Sequence, residues 1–108
     1  MWGIFLNVEK GNKDLYQTVV EYVVSGAKAL VISPVPKLEV DIEDIKALHN
    51  MPEYLYGEKI RICKHNEPTG LVVGIYWNFK KEQFFYKLSV NGRVKSKRYY
   101  NKDLQKLE

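Results

Sequence analysis

The sequence predicts an α+β fold, with two strands and two helices over residues 1–55 and a run of closely spaced strands over residues 56–108. Three observations predict it. The apolar period changes from helical to strand-like near Gly57. Two acidic helix-start signals occur in the first half, at Asp14 and Asp41. In the second half, turn signals at 65–70, 80–83 and 91–92 separate short runs rich in strand formers. A chain of 108 residues is of single-domain size, so the two parts are expected to pack as one compact domain.

Trp2 to Val8 reads as the first strand, closed by the turn signal Lys10-Gly11-Asn12. Asp14 with Gln17 three residues on has the spacing of a capping box. Leu15, Val19, Tyr22 and Val23 then share a helical face, with Gly26 as a C-terminal stop. The competing reading of residues 15–25 is a strand turned at Ser25-Gly26, because Val19-Val20 and Val23-Val24 are strand formers. The helix is preferred. Ala27 to Ser33 reads as the next strand, ended by Pro34-Val35-Pro36. A short second helix opens at Asp41, with Ile42, Ile45 and Leu48 on one face and Asp41, Glu43 and Asp44 in its first turn, where the helix dipole favours anions. Residues 51–56 form a linker.

From Gly57 the runs are Glu58–Lys64, Leu71–Trp77 with Gly74 as a bend or bulge, Phe84–Val90, and Arg93–Tyr100 after an Asn91-Gly92 turn. Asp103–Leu107 makes a final turn or strand. The order "GEKIRI…TGLVVGIYW…FFYKLSV-NG-RVKSKRYY…DLQKL" resembles a small Src-homology-3-like barrel of the Tudor and KOW sort over roughly residues 56–107. The resemblance implies a five-stranded SH3-like barrel on which the N-terminal unit packs. It carries no particular function, because such barrels bind RNA, modified peptides or proline-rich segments. The chain is also similar in size and make-up to small bacterial proteins of uncharacterised function, and loosely to toxin-immunity proteins. The expected core is Trp2, Phe5, Leu30, Ile32, Ile60, Ile62, Val73, Ile75, Tyr86, Leu88 and Val90.

Composition narrows the function. The net charge of +4 divides unevenly. Residues 1–56 hold five Lys and eight acidic groups, a sum of −3, whereas residues 57–108 hold twelve Lys or Arg and five acidic groups, a sum of +7. That split marks either a basic interaction surface or two halves that attract one another. No apolar run has the length of a membrane span, and the lone Cys63 fits a reducing compartment, so a cytoplasmic location is expected. Catalytic patterns are weak. Cys63 and His65 lack the partners of a metal set or of a nucleophilic dyad, and Lys10-Gly11-Asn12-Lys13 lacks phosphate-loop spacing. Neither an enzyme nor a cofactor is expected.

The densest signal is the basic and aromatic stretch around Asn91-Gly92. A two-residue turn would oppose Leu88 to Lys95 and Tyr86 to Lys97, which mixes core and solvent on one face. A bulged hairpin opposes Val90 to Val94, Leu88 to Ser96 and Tyr86 to Arg98, and is preferred. Phe85, Lys87, Arg93, Lys95, Lys97 and Tyr99 then project together as a partner-binding ridge. Three readings stay open: a solvated or packed face, a contact for a protein partner, or a nucleic-acid grip with Phe85 and Tyr99 stacking on bases. The abundance of Lys over Arg weighs against the last. A non-enzymatic binding protein for a protein partner, in the form of an immunity-type inhibitor, is the leading expectation. A nucleic-acid-binding module using residues 85–99 is the alternative, and the oligomeric state is open.

Overall fold

The computed structural model describes residues 1–7, 15–63 and 69–107. Among these residues the regular structure is β-strand and short 3-10 turns, with no α-helix. The expected α+β class is therefore corrected: both helices of the N-terminal unit are absent, and the fold is antiparallel β. The chain forms two compact units, Met1–Met51 and Pro52–Glu108.

In the first unit β1 (Trp2–Phe5), β2 (Val19–Ser25), β3 (Lys28–Ser33), β4 (Leu38–Asp41) and β5 (Ile45–Leu48) pair in the order β4-β3-β2-β1-β5. Residues 19–25 are the strand β2 because their paired valines lose little χ1 freedom in an extended chain and pack well across strands. Val23 faces Leu30, Tyr22 faces Val31 and Ser25 faces Lys28, joined by a two-residue turn. Gly26 has φ +62°, as the first position of a primed hairpin turn requires. Gln17 has φ +67°, which no helix admits, and the Thr18 N–H closes a single turn on the Leu15 carbonyl at 3.0 Å. The expected cap Asp14, the end of the first strand at Val8 and the turn at 10–12 lie outside the described residues.

The second expected helix shrinks to a 3-10 turn, Ile42–Asp44, that leads straight into β5. This turn carries the chain from one edge strand of the sheet to the other. Three residues span that step only if the sheet curls until its edges approach. Phe5, Val20, Tyr22, Ala29, Val31 and Ile45 are buried together, with Leu38 and Ile42 packed against them. Of the expected core, Trp2 is only half-buried, and Leu30 and Ile32 are exposed. The alternation of β3 runs in the opposite phase from the one expected. Ala29 and Val31 point inward, and the bulge at Glu21/Tyr22 leaves Ile32 outside the paired register.

The second unit contains β6 (Lys59–Ile62), β7 (Thr69–Asn78), β8 (Gln83–Val90), β9 (Arg93–Val94), β10 (Tyr99–Tyr100) and β11 (Leu104–Lys106), ordered β10-β8-β7-β6-β11, with β9 also on β8. Ile60, Ile62, Ile75, Tyr86, Leu88 and Val90 are buried as expected. Val73 is exposed. It is the extra residue of a bulge, since Val72 faces Leu88 while Gly74 faces Lys87. That insertion shifts the phase of β7, so Val72 rather than Val73 joins Ile75 on the inner face.

The two units repeat one plan. In each, the first strand lies between the second and the last, and a three-residue 3-10 turn, Ile42–Asp44 or Asn101–Asp103, precedes the last strand. Phe5 faces Ile45 as Ile62 faces Leu104. The next residue along then makes the same bond in both: the Leu6 N–H donates to the Asp44 carbonyl, and the Cys63 N–H to the Asp103 carbonyl, each at 2.8 Å.

Candidate basic interaction surface

The hairpin around Asn91-Gly92 starts in the register the sequence reading set aside. Asn91 and Gly92 have φ +52° and +81°, the left-handed pair of a two-residue type I′ turn. Val90 therefore faces Arg93, and Ser89 faces Val94. The preferred bulge at the turn is thus corrected. The irregularity lies further along. Tyr86 faces Tyr99 and Phe85 faces Tyr100, so two residues of β8 between Ser89 and Tyr86 stand opposite the four residues 95–98. The Lys95 N–H still reaches the Leu88 carbonyl at 2.8 Å, and Ser96, Lys97 and Arg98 then leave the ladder. Like charges crowd along this stretch, and an exposed arc separates them better than a paired strand would.

That register, one residue out of phase with the expected bulge, redistributes the six expected ridge residues. Arg93, Lys95 and Lys97 are exposed, and Lys87 is half-buried. Tyr99 is 3% exposed, on the core side beside Tyr86, and Phe85 is 9% exposed. The two aromatics expected as stacking platforms are covered, and the structure does not bring all six side chains onto one surface. Lys97 Nζ stands 5.1 Å from the centroid of the Tyr99 ring.

The covering of Phe85 exposes a feature the sequence reading missed. On its side of the sheet, Tyr76, Phe85 and Tyr100 form a cross-strand aromatic row. The Tyr76 and Phe85 rings stack at 5.3 Å, and Phe85 and Tyr100 meet at 5.9 Å. Arg98 lays its guanidinium over Phe85, 4.7 Å from the ring centroid, and Lys87 Nζ stands 5.7 Å from Tyr76. Tyr76 leans back over Gly74, where any added Cβ would come within 2.7 Å of its ring. The available signal was the Gly-x-Tyr spacing of residues 74–76, since on a strand the two positions share a face. Burial pushes the Tyr76 phenol above its ordinary range.

Chemically, the exposed cations of this hairpin can attract anions. Among the described residues no group of three or more His, Cys, Asp or Glu is placed to hold a metal ion. Cys63 is exposed, and the His65 paired with it in sequence lies outside the described residues. Arg93, Lys95, Lys97 and Arg98 form no ion pair among the described residues.

A family model covers residues 36–105, from Pro36, two residues before β4, into β11. The chain belongs to the family of unknown function DUF6960. The matched stretch of this DUF6960 protein takes in the aromatic row and the whole basic arc. No curated protein and no solved structure matches the chain.

Proposed function

We propose that this chain is a non-enzymatic binding protein whose basic arc, Arg93 to Arg98, docks an acidic surface of a protein partner. One observation carries the reading: the cations of the arc are exposed and form no ion pair among the described residues, while Phe85 and Tyr99 are covered. Single-strand binders of nucleic acid combine cations with exposed rings, so the covering of both rings favours a protein partner over the nucleic-acid alternative. A rim of exposed cations steers an acidic partner and speeds encounter. The shared strand order and 3-10 corner support reading each unit as a small SH3-like barrel. The sharper form of the proposal is an immunity-type inhibitor acting in the cytoplasm.

The test uses the tagged full chain at natural expression level. A specific acidic protein should be recovered from native lysate. Reversal of Lys95 and Lys97 to Glu should slow its association at least several-fold at low salt, with little effect at high salt. A toxin-domain reading frame directly upstream would support the sharper form. Recovery of nothing above background, together with oligonucleotide binding tighter than about 0.1 mM at physiological salt, would sink the reading in favour of nucleic acid.

A further inference from the structure

One end of the aromatic row is built differently from the rest. Asn78 closes β7, and its Oδ1 accepts the backbone N–H groups of Lys80 at 3.1 Å and Lys81 at 3.0 Å. Those two bonds decide which way the amide points, because its oxygen must face the turn. Nδ2 is thereby aimed outward and donates to the Tyr100 hydroxyl at 3.0 Å. Lys81 Nζ lies 4.7 Å from the centroid of the Tyr100 ring. Arg98 stands over the neighbouring Phe85, 4.7 Å from its ring centroid.

A neutral amide on the phenol oxygen, an ammonium over the Tyr100 ring and a guanidinium over the adjoining Phe85 ring therefore gather at one end of the row. Asp103 Oδ2 is engaged by the Tyr100 backbone N–H at 2.9 Å, and Glu82, next in the chain to Lys81, pairs with neither cation. The donors outnumber the acceptors, and the field lowers the Tyr100 phenol from its ordinary range, with the Asn78 bond as the largest cause. The Asn78 amide is oriented by the turn, Arg98 stands over the Phe85 ring and Lys81 over the Tyr100 ring.

We propose that Asn78, Lys81, Arg98 and the Tyr100 hydroxyl form a pocket for a phosphate monoester dianion. Two cations match a dianion, and four donors with different directions suit a tetrahedral group better than a planar carboxylate, which a single Arg fork would satisfy. The site shares only Arg98 with the docking arc; Asn78, Lys81 and Tyr100 lie outside it, and Arg93, Lys95 and Lys97 take no part, so its test is distinguishable from that of the protein-docking reading.

The probes are inorganic phosphate, O-phosphoserine and dimethyl phosphate, titrated into the full chain at constant ionic strength and followed by amide NMR. Inorganic phosphate and phosphoserine should both move the Asn78 side-chain amide resonances, with a dissociation constant of about 1 mM for two charge-assisted contacts. Their relative affinity separates a free anion from a phosphorylated side chain as the source. Dimethyl phosphate, a monoanion with the charge of a nucleic-acid linkage, should bind at least fivefold more weakly. Lys81→Gln and Arg98→Gln should each weaken phosphate about tenfold, Tyr100→Phe should weaken it while leaving the fold intact, and Lys95→Gln should change it less than twofold. Equal effects of Lys95→Gln and Arg98→Gln, equal binding of monoester and diester, or no shift at Asn78 would each overturn the assignment.

Discussion

Tyr86 shows how much one side chain carries in the second unit. It is fully buried, accepts the Glu53 N–H at 3.1 Å, and meets Tyr54 edge-on at 5.4 Å. Burial pushes its phenol up to about 12. The folded state thus keeps a proton that the unfolded chain releases near its ordinary value of 10.0, so the associated stability is complete below that value and is lost as pH rises toward 12. The loss should be about 2 kcal/mol. Denaturant unfolding across this window should show that decline in the native chain, and Tyr86→Phe should flatten it at a cost of about 1 kcal/mol near neutrality for the lost hydrogen bond. Gly3 makes a second residue-scale case. A Cβ there would run into Ile45 Cγ2 and come within 2.9 Å of the Lys46 carbonyl oxygen. Because that oxygen belongs to the paired strand β5 and cannot swing aside, Gly3→Ala should cost about 3 kcal/mol in thermal unfolding.

At the scale of elements, phase decided what local pattern did not. Ala29 and Val31 are buried while Leu30 is 39% exposed. Val31→Ala should therefore destabilise by about 2 kcal/mol, and Leu30→Ala, which removes the larger side chain, by less than about 1 kcal/mol. Urea unfolding of the pair measures both, and a larger loss for Leu30→Ala would contradict the observed phase. The strands of the second half were legible because Ile60 and Ile62 alternate with charged neighbours. Val73 was expected in the core, and is exposed, because a bulge cannot be located from alternation when Val72, Val73 and Ile75 are all apolar. The first helix was misread for a related reason. Leu15, Val19, Tyr22 and Val23 match a helical face, but β-branched residues at this density pack better across strands, and cross-strand partners are not visible in a local window.

For the whole molecule, the described residues of both units build their cores from strands and 3-10 turns without an α-helix, so far-UV circular dichroism should show a sheet spectrum without the helical double minimum. The charge asymmetry, −3 over residues 1–56 and +7 over 57–108, concentrates in the arc after Asn91-Gly92. Changing Arg93, Lys95, Lys97 and Arg98 together to Gln lowers the net charge from +4 to zero. Each exposed site should alter stability by no more than about 0.5 kcal/mol, while partner association loses its salt dependence. Association rates at two salt concentrations, measured beside a thermal melt, check both halves of that expectation.

The sequence by itself determined the β-hairpin at Asn91-Gly92, the apolar alternation of β6 and β8, the basic character of the second half and the weakness of any catalytic pattern. These follow from local chemistry: turn residues that tolerate positive φ, period-two burial, and formal charge. Only the tertiary structure decided that Val19–Ser25 is a strand, that Phe85 and Tyr99 are covered, and that Asn78, Lys81, Arg98 and Tyr100 meet. Register is a long-range property, set by which partner strand buries which face. The two-residue turn at Asn91-Gly92, whose phase the later shift of two residues preserves, sets Tyr99 opposite Tyr86 on the inner side and Tyr100 opposite Phe85 on the other, and no window of neighbouring residues contains the pairing energy that fixes it.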